Sequence, residues 1–101
     1  MSAVAGASGF ELFYQPRTIV VSAASPTLEL FNQAINEGLV FHNMLIGNEV
    51  DGDALAASES VGPGESALFT FAEVPAGTYR IWCSIEDHVE LGMVGTLTIE
   101  P

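Results

Sequence analysis

The sequence contains no lysine and only two arginines, against thirteen aspartate and glutamate residues. The resulting formal net charge of −11 at pH 7 argues against nucleic acid or an anionic lipid surface as the partner. Two interpretations of this acidity stay open at the level of the whole surface. It either serves solubility or adaptation to salt, or it steers a basic partner protein toward the molecule.

Cysteine and histidine are equally scarce, with one cysteine and two histidines in 101 residues. A single cysteine cannot form an internal disulfide, so cysteine pairing gives no information about the redox compartment. No apolar run approaches the roughly 20 residues that a membrane-spanning helix needs, and we expect no membrane insertion. The opening segment, MSAVAGASG, lacks the basic and apolar parts of an export signal. We expect residues 1–9 to form a flexible linker and residues 10–101 to form one domain.

Short apolar runs separated by Gly, Pro, Asn and Ser predict an all-β fold. Several runs alternate with a period of two, which is typical of strands with one buried face. The predicted strands lie near Glu11–Tyr14, Arg17–Ser22, Thr27–Asn32, Leu39–Ile46, Ser66–Phe71, Thr78–Cys83 and Val94–Glu100. We therefore expect a sandwich or barrel of about seven to eight strands.

The segment between Gly47 and Gly64 differs from the rest, because it is acidic and contains several alanines. Asp51 or Asp53 could cap a helix through its side-chain oxygen. We expect one short helix or turn near residues 51–58.

The residues with the most distinctive chemistry lie in the segment CSIEDHVELGM. Cys83, His88 and Met93 are spaced five residues apart there, and His42 lies far upstream in FHNM. A thiolate, two imidazoles and a thioether form the donor set of a blue-copper site, with three strong ligands and a weak axial Met. Structural zinc normally takes four Cys or His ligands, so this set favours copper.

Each donor alone has an ordinary explanation. His42 could be a core histidine with a hydrogen-bond partner, Cys83 a small buried hydrophobic residue and Met93 a filler of the core. The four together, with Cys83 at the end of one predicted strand and Met93 at the start of the next, favour a metal site. Asn43 adds to this, because an Asn beside a ligand can brace a neighbouring loop.

The segments LVFHNMLI and GTYRIWCSIEDHVELGMVGTLTIEP resemble the two ligand segments of the cupredoxins. These are blue type 1 copper proteins similar to plastocyanin and azurin, and the spacing here is like that of rusticyanin and auracyanin. The resemblance covers about residues 17–101. It implies a Greek-key β-sandwich, and it makes the domain predicted over 10–101 a copper-binding domain.

The resemblance also implies roles for individual residues. His42, Cys83 and His88 would be the equatorial ligands of one copper ion, and Met93 the weak axial ligand. The side chain of Asn43 would hold the backbone of Ser84, and the N–H of Asn43 would point at the Cys83 sulfur.

One part of the ligand loop departs from the family. Glu86 and Asp87 stand where the cupredoxins usually have Pro-Gly before the loop histidine, and Glu90 follows it. These acids surround the residue whose ring edge would face solvent. Together with the apolar Val89 and Leu91, they form the surface on which we expect a redox partner to dock.

The implied function is that of a one-electron carrier cycling between Cu(II) and Cu(I), and not an enzyme. Multicopper enzymes place a His beside the ligand Cys, whereas the neighbours here are Trp82 and Ser84. A dinuclear copper site of an oxidase subunit would need two cysteines. The alternatives that stay open are copper delivery or storage, a non-catalytic domain of a larger copper protein, and a plain β-sandwich interaction module.

The same resemblance implies redox proteins as partners, such as a basic cytochrome c or a membrane redox complex. It further implies a monomer in the periplasm or another extracytoplasmic compartment.

Overall fold

The structure is a computed structural model that describes residues 2–8, 11–32, 41–85 and 93–101. These residues form nine β-strands: β1 (Ser2–Ser8), β2 (Glu11–Gln15), β3 (Thr18–Ser22), β4 (Thr27–Asn32), β5 (Leu45–Gly47), β6 (Ala54–Ala57), β7 (Ser66–Thr70), β8 (Gly77–Trp82) and β9 (Val94–Glu100). The described residues contain no helix that is long and apolar enough to cross a membrane.

The strands form two sheets, one of four strands in the order β2-β1-β4-β7 and one of five in the order β3-β9-β8-β5-β6. Most neighbouring strands are antiparallel, but β1 pairs with β4 in parallel, and β3 pairs with β9 in parallel. A parallel pair cannot be joined by a tight hairpin, so the chain passes between the sheets more than once. The predicted all-β sandwich is confirmed.

The core lies between the two sheets because each strand buries alternate residues. In β3, Ile19 and Val21 are buried while their neighbours are exposed, and β7 has the same pattern. In β4, Leu28 and Leu30 have no exposed surface. The most deeply buried side chains come from both sheets: Trp82, Tyr14, Phe71, Ile19, Leu28, Leu30, Met44, Ile46, Ile81, Met93, Leu97 and Ile99. Burial of each large apolar side chain stabilises the fold by about 1.5–3 kcal/mol.

The expectation of a flexible linker over residues 1–9 is wrong for Ser2–Ser8, which form β1 in the middle of the four-stranded sheet. Ala3 and Ala5 are almost completely buried. Small side chains contribute little to a sequence pattern, but they fit a strand that pairs with neighbours on both sides, where the backbone hydrogen bonds provide the order.

Of the short helix or turn expected near residues 51–58, the structure has the turn, and a strand follows it in place of a helix. Residues 49–52 form a turn, with Gly52 N–H donating to the Glu49 carbonyl at 3.0 Å, and Asp51 has a positive φ of 63°. Ala54–Ala57 then form the edge strand β6, which pairs with β5. The pairing groups of β5 explain this outcome: alanine and leucine favour a helix, but a four-residue segment is too short to form a stable one, and pairing with β5 satisfies its backbone.

The strand predicted over Leu39–Ile46 is shorter in the structure. The strand itself spans Leu45–Gly47, and His42 makes an isolated antiparallel bridge with Val61. Residues 39 and 40 lie outside the described residues.

Close approach of the chain at Gly95 leads to the first testable prediction. A Cβ atom there would lie 2.5 Å from the Arg17 carbonyl oxygen and 3.1 Å from Ile81. Because the first of these contacts is with backbone, Gly95→Ala should lower the free energy of unfolding by about 1–3 kcal/mol, as measured by urea denaturation of the apoprotein.

Gly62→Ala is the matched control for that variant. The Cβ added at Gly62 meets the end of the Glu65 side chain at 2.7 Å and the Phe41 ring at 3.2 Å. These side chains can move, so Gly62→Ala should lower the free energy of unfolding by less than Gly95→Ala does. If Gly62→Ala lowered the free energy of unfolding as much as Gly95→Ala or more, the packing described for β9 would be contradicted.

Candidate metal centre

The ends of β8 and β9 bring Cys83 and Met93 directly opposite each other. Trp82 pairs with Val94 across the two strands, and the next pair is linked by a hydrogen bond from the Cys83 N–H to the Met93 carbonyl at 3.3 Å. Both side chains have no exposed surface. Facing residues on one side of a sheet have Cβ atoms about 4.5–5.5 Å apart. The thiol and the thioether are therefore neighbours at this end of the sandwich.

Cys83 lies on the inner face of its sheet because the alternation of β8 continues through it. Tyr79, Ile81 and Cys83 are all buried in the core, whereas Arg80 on the opposite face is exposed. Trp82 is the exception on that outer face. It is 2% exposed because its ring packs over Gly47, where an added Cβ would lie 2.8 Å from the indole.

His42 lies in the segment that precedes β5. Its backbone pairs with Val61 through two hydrogen bonds, of 3.0 and 2.7 Å, and its side chain is 1% exposed, with the Nδ1 atom shielded from solvent. Asn32, also buried, supports this bridge, because its Nδ2 donates to the Val61 carbonyl at 2.8 Å. The backbone of His42 is thus fixed on the side facing Val61.

Asn43 connects the His42 segment to the Cys83 segment. Its Oδ1 accepts a hydrogen bond from the Ser84 N–H at 2.9 Å, and its Nδ2 donates to Ser84 Oγ at 2.8 Å. Its backbone N–H donates to the sulfur of Cys83. The contact that the resemblance implied between Asn43 and the Ser84 backbone is present. The role of these two residues beside a metal remains a proposal.

The protonation of the Cys83 thiol reflects two opposing influences. Burial raises the pKa of the thiol above its ordinary value, and hydrogen bonds from the backbone N–H groups of Asn43 and Ile85 lower it in part. The net effect favours the neutral thiol in the apoprotein. A metal ion that binds the sulfur must therefore displace a proton.

Tyr14 and Asn32 support the segment around His42 and Asn43, and the sequence did not indicate either role. The Tyr14 hydroxyl donates to the Asn43 carbonyl, and Tyr14 is 1% exposed. Burial, and to a lesser degree the nearby charge of Cys83, raise the pKa of this phenol well above its ordinary value. The sequence of β2, ELFYQ, does not show which of its apolar residues is buried, and the partner of Tyr14 lies 29 residues away, in the segment that precedes β5.

The remaining predicted residues lie outside the described residues. They are His88, for which a ligand role was expected, and the surface residues Glu86, Asp87, Val89, Glu90 and Leu91. In the described part of the chain, no group of three or more His, Cys, Asp and Glu side chains is arranged to hold a metal ion. Of the predicted copper donors, only His42 and Cys83 are both described and of these four residue types. Met93 is described, but methionine is not one of the four types.

The family of the chain follows from its sequence. Residues 1–100 match the family model described as copper binding proteins of the plastocyanin/azurin family. The chain belongs to this family, and its cofactor is one copper ion. The donor chemistry agrees, because a buried thiol next to a buried thioether is a soft pair that suits copper.

Solved structures of other cupredoxins share the fold. Auracyanin from Roseiflexus castenholzii is 22% identical with a TM-score of 0.73, covering 99% of this chain and 97% of its own. An azurin from Methylomonas sp. strain J is 21% identical with a TM-score of 0.70, covering 100% and 97%. A purple cupredoxin from Nitrosopumilus maritimus is 20% identical with a TM-score of 0.68, covering 98% of each chain. Comparison with curated protein sequences finds no match.

The Asn43 contacts yield the second prediction. Asn43→Ala removes both hydrogen bonds to Ser84 from a site where Asn43 is 8% exposed. It should lower the free energy of unfolding of the apoprotein by about 1–3 kcal/mol. Ser84→Ala should cost less, because it keeps the bond between the residue 84 N–H and Asn43 Oδ1. Urea denaturation measures both, and a reversed order would contradict the arrangement.

Proposed function

We propose that this protein is a type 1 copper electron carrier, in which His42, Cys83 and His88 bind the copper ion as equatorial ligands and Met93 is the weak axial ligand. The observation that carries the proposal is the Cys83–Met93 pair, two fully buried soft donors facing each other at the end of β8 and β9. Copper, when bound, supplies the one-electron couple between Cu(II) and Cu(I).

The surroundings of Cys83 suit repeated electron transfer better than metal delivery. Asn43 holds the neighbouring backbone by two side-chain hydrogen bonds and contacts the sulfur through its N–H. A sulfur held in this way changes position little, and small movement on a change of oxidation state favours fast transfer. Hydrogen bonds to a ligand sulfur also tune the potential of the metal. Copper delivery would instead favour an open, exchangeable site.

The first experiment uses the visible spectrum of the copper-loaded protein. Cu(II) should produce an intense thiolate-to-copper band that ascorbate bleaches and an oxidant restores. Cys83→Ala should lack this band entirely. A parent protein without the band would refute the type 1 assignment. Ready loss of Cu(I) from the parent to a Cu(I) chelator would favour delivery over electron transfer.

The second experiment tests Met93. Met93→Leu should retain copper and raise the reduction potential, because a weak electron donor to the metal is lost and Cu(II) is stabilised less. Voltammetry and metal analysis provide the measurements. Met44→Leu is the matched control, since Met44 is equally buried and should leave the potential nearly unchanged. Loss of copper from Met93→Leu would mean that Met93 is a stronger ligand than proposed.

The partner is proposed to be a basic redox protein, such as a cytochrome c or a membrane redox complex, in the periplasm or another extracytoplasmic compartment. His88 would carry the electron at the surface, with Val89 and Leu91 forming the apolar contact and Glu86, Asp87 and Glu90 steering the approach. Redox encounters are brief and their interfaces small, so long-range charge is a suitable means of guidance. The net charge of −11 supports a basic partner and a monomeric carrier.

The charge proposal is tested by kinetics with a basic cytochrome c. The second-order electron-transfer rate should fall as ionic strength rises, and it should be lower in Glu86→Gln at low salt. The same variant should have a raised reduction potential, because a negative charge that stabilises Cu(II) is lost.

Glu73→Gln serves as the control for charge alone. Glu73 is exposed and precedes β8 at the end opposite Cys83. It should affect the rate less than Glu86→Gln does. Equal effects of the two variants, or a rate independent of salt, would contradict steering by the residues around His88.

A further inference from the structure

Tyr14 is a buried tyrosine whose hydroxyl crosses from one sheet to the other. It belongs to β2, at the edge of the four-stranded sheet. Its hydroxyl donates to the backbone carbonyl of Asn43, which precedes β5 of the five-stranded sheet. The side chain is 1% exposed, so water cannot replace this bond without opening the sandwich.

Asn43, which accepts this bond, also contacts both Cys83 and Ser84. Its N–H donates to the Cys83 sulfur, and its side chain holds Ser84 through two hydrogen bonds of 2.8 and 2.9 Å. The following residue is also held, because the Met44 N–H donates to Ser58 Oγ at 2.9 Å. The Tyr14 hydroxyl is the contact that fixes the Asn43 carbonyl.

We propose that Tyr14 is a positioning residue of the metal centre, whose hydroxyl holds Asn43 so that the Asn43 N–H remains on the Cys83 sulfur. This inference rests on the proposed ligand role of Cys83. It assigns the control of a ligand hydrogen bond to a residue in a different sheet from the Cys83, His42 and Met93 donors.

The expected consequence follows from the charge on sulfur. An N–H that donates to a thiolate withdraws electron density, so the sulfur donates less to the metal and the reduced state gains relative to the oxidised state. Loss of the Tyr14 hydroxyl leaves the Asn43 carbonyl buried without that donor. The Asn43 segment should then shift or fluctuate, the N–H···S bond should weaken, and the reduction potential should fall.

A purely structural hydroxyl would change stability without changing the potential, and the chain contains a matched control for this. Tyr79, its only other tyrosine, is 8% exposed, and its hydroxyl donates to the Pro75 carbonyl at 2.5 Å. This contact lies near the start of β8, at the end away from Cys83. Tyr79→Phe therefore removes the same type of hydrogen bond without touching the Asn43 segment.

The experiment compares Tyr14→Phe and Tyr79→Phe in both loaded and apo forms. In the loaded protein, Tyr14→Phe should lower the reduction potential and shift the thiolate-to-copper band, while Tyr79→Phe leaves both unchanged. In the apoprotein, amide hydrogen exchange should be faster at Asn43 and Ser84 in Tyr14→Phe only. An unchanged reduction potential in the loaded Tyr14→Phe variant, unchanged exchange in its apo form, or equal changes in both variants would each overturn the proposal.

Measuring both the copper-loaded protein and the apoprotein distinguishes failure of this inference from failure of the ligand assignment. A parent protein without a reversible blue band would refute the proposed ligands. The exchange rates in the apoprotein would still decide whether Tyr14 holds Asn43, because that measurement requires no metal. Faster exchange at Asn43 confined to Tyr14→Phe supports the positioning role, and its absence refutes that role.

Discussion

The site depends most on the set of hydrogen bonds by which Asn43 joins two separate parts of the chain. The side chain of Asn43 holds the backbone and hydroxyl of Ser84, 41 residues later, and its N–H reaches the sulfur of Cys83. Both backbone segments lie just beyond strand pairing, at the ends of β5 and β8. Pairing of β5 with β8 brings the His42 segment and the Cys83 segment side by side, and the Asn43 bonds hold the two segments together beyond the last strand pair. Asn43 therefore contributes both to the stability of the fold and to the position of the Cys83 segment.

The sandwich supplies what this connection needs. Pairing of β8 with β9 places Met93 opposite Cys83, and the bridge between His42 and Val61 fixes the backbone of His42. The apolar core excludes water from the thiol and raises its pKa. A soft metal ion that binds this thiol must therefore displace its proton. The family to which the chain belongs agrees with such a centre.

The sequence was informative where chemistry or alternation is concentrated in a few residues. The contact between Asn43 and Ser84 could be predicted because both residues lie in short segments that resemble those of the cupredoxins, and the donor set from the same segments stays a prediction. Most strands could be predicted from alternation, as in β3 and β7. β1 and β6 could not, because alanine-rich segments have no strong pattern and become strands only when a neighbouring strand offers hydrogen bonds. The Tyr14 contact depends on how the two sheets face each other, which no local pattern encodes.

The central claim is that one copper ion is bound by Cys83, Met93 and His42 at this end of the sandwich, with His88 completing the set. Anomalous diffraction at the copper edge from crystals of the loaded protein tests it most directly. The account predicts a single strong peak per chain within bonding distance of the Cys83 sulfur and a His42 ring nitrogen, with Met93 as a longer contact. A peak elsewhere, or copper bound without Cys83, would contradict it.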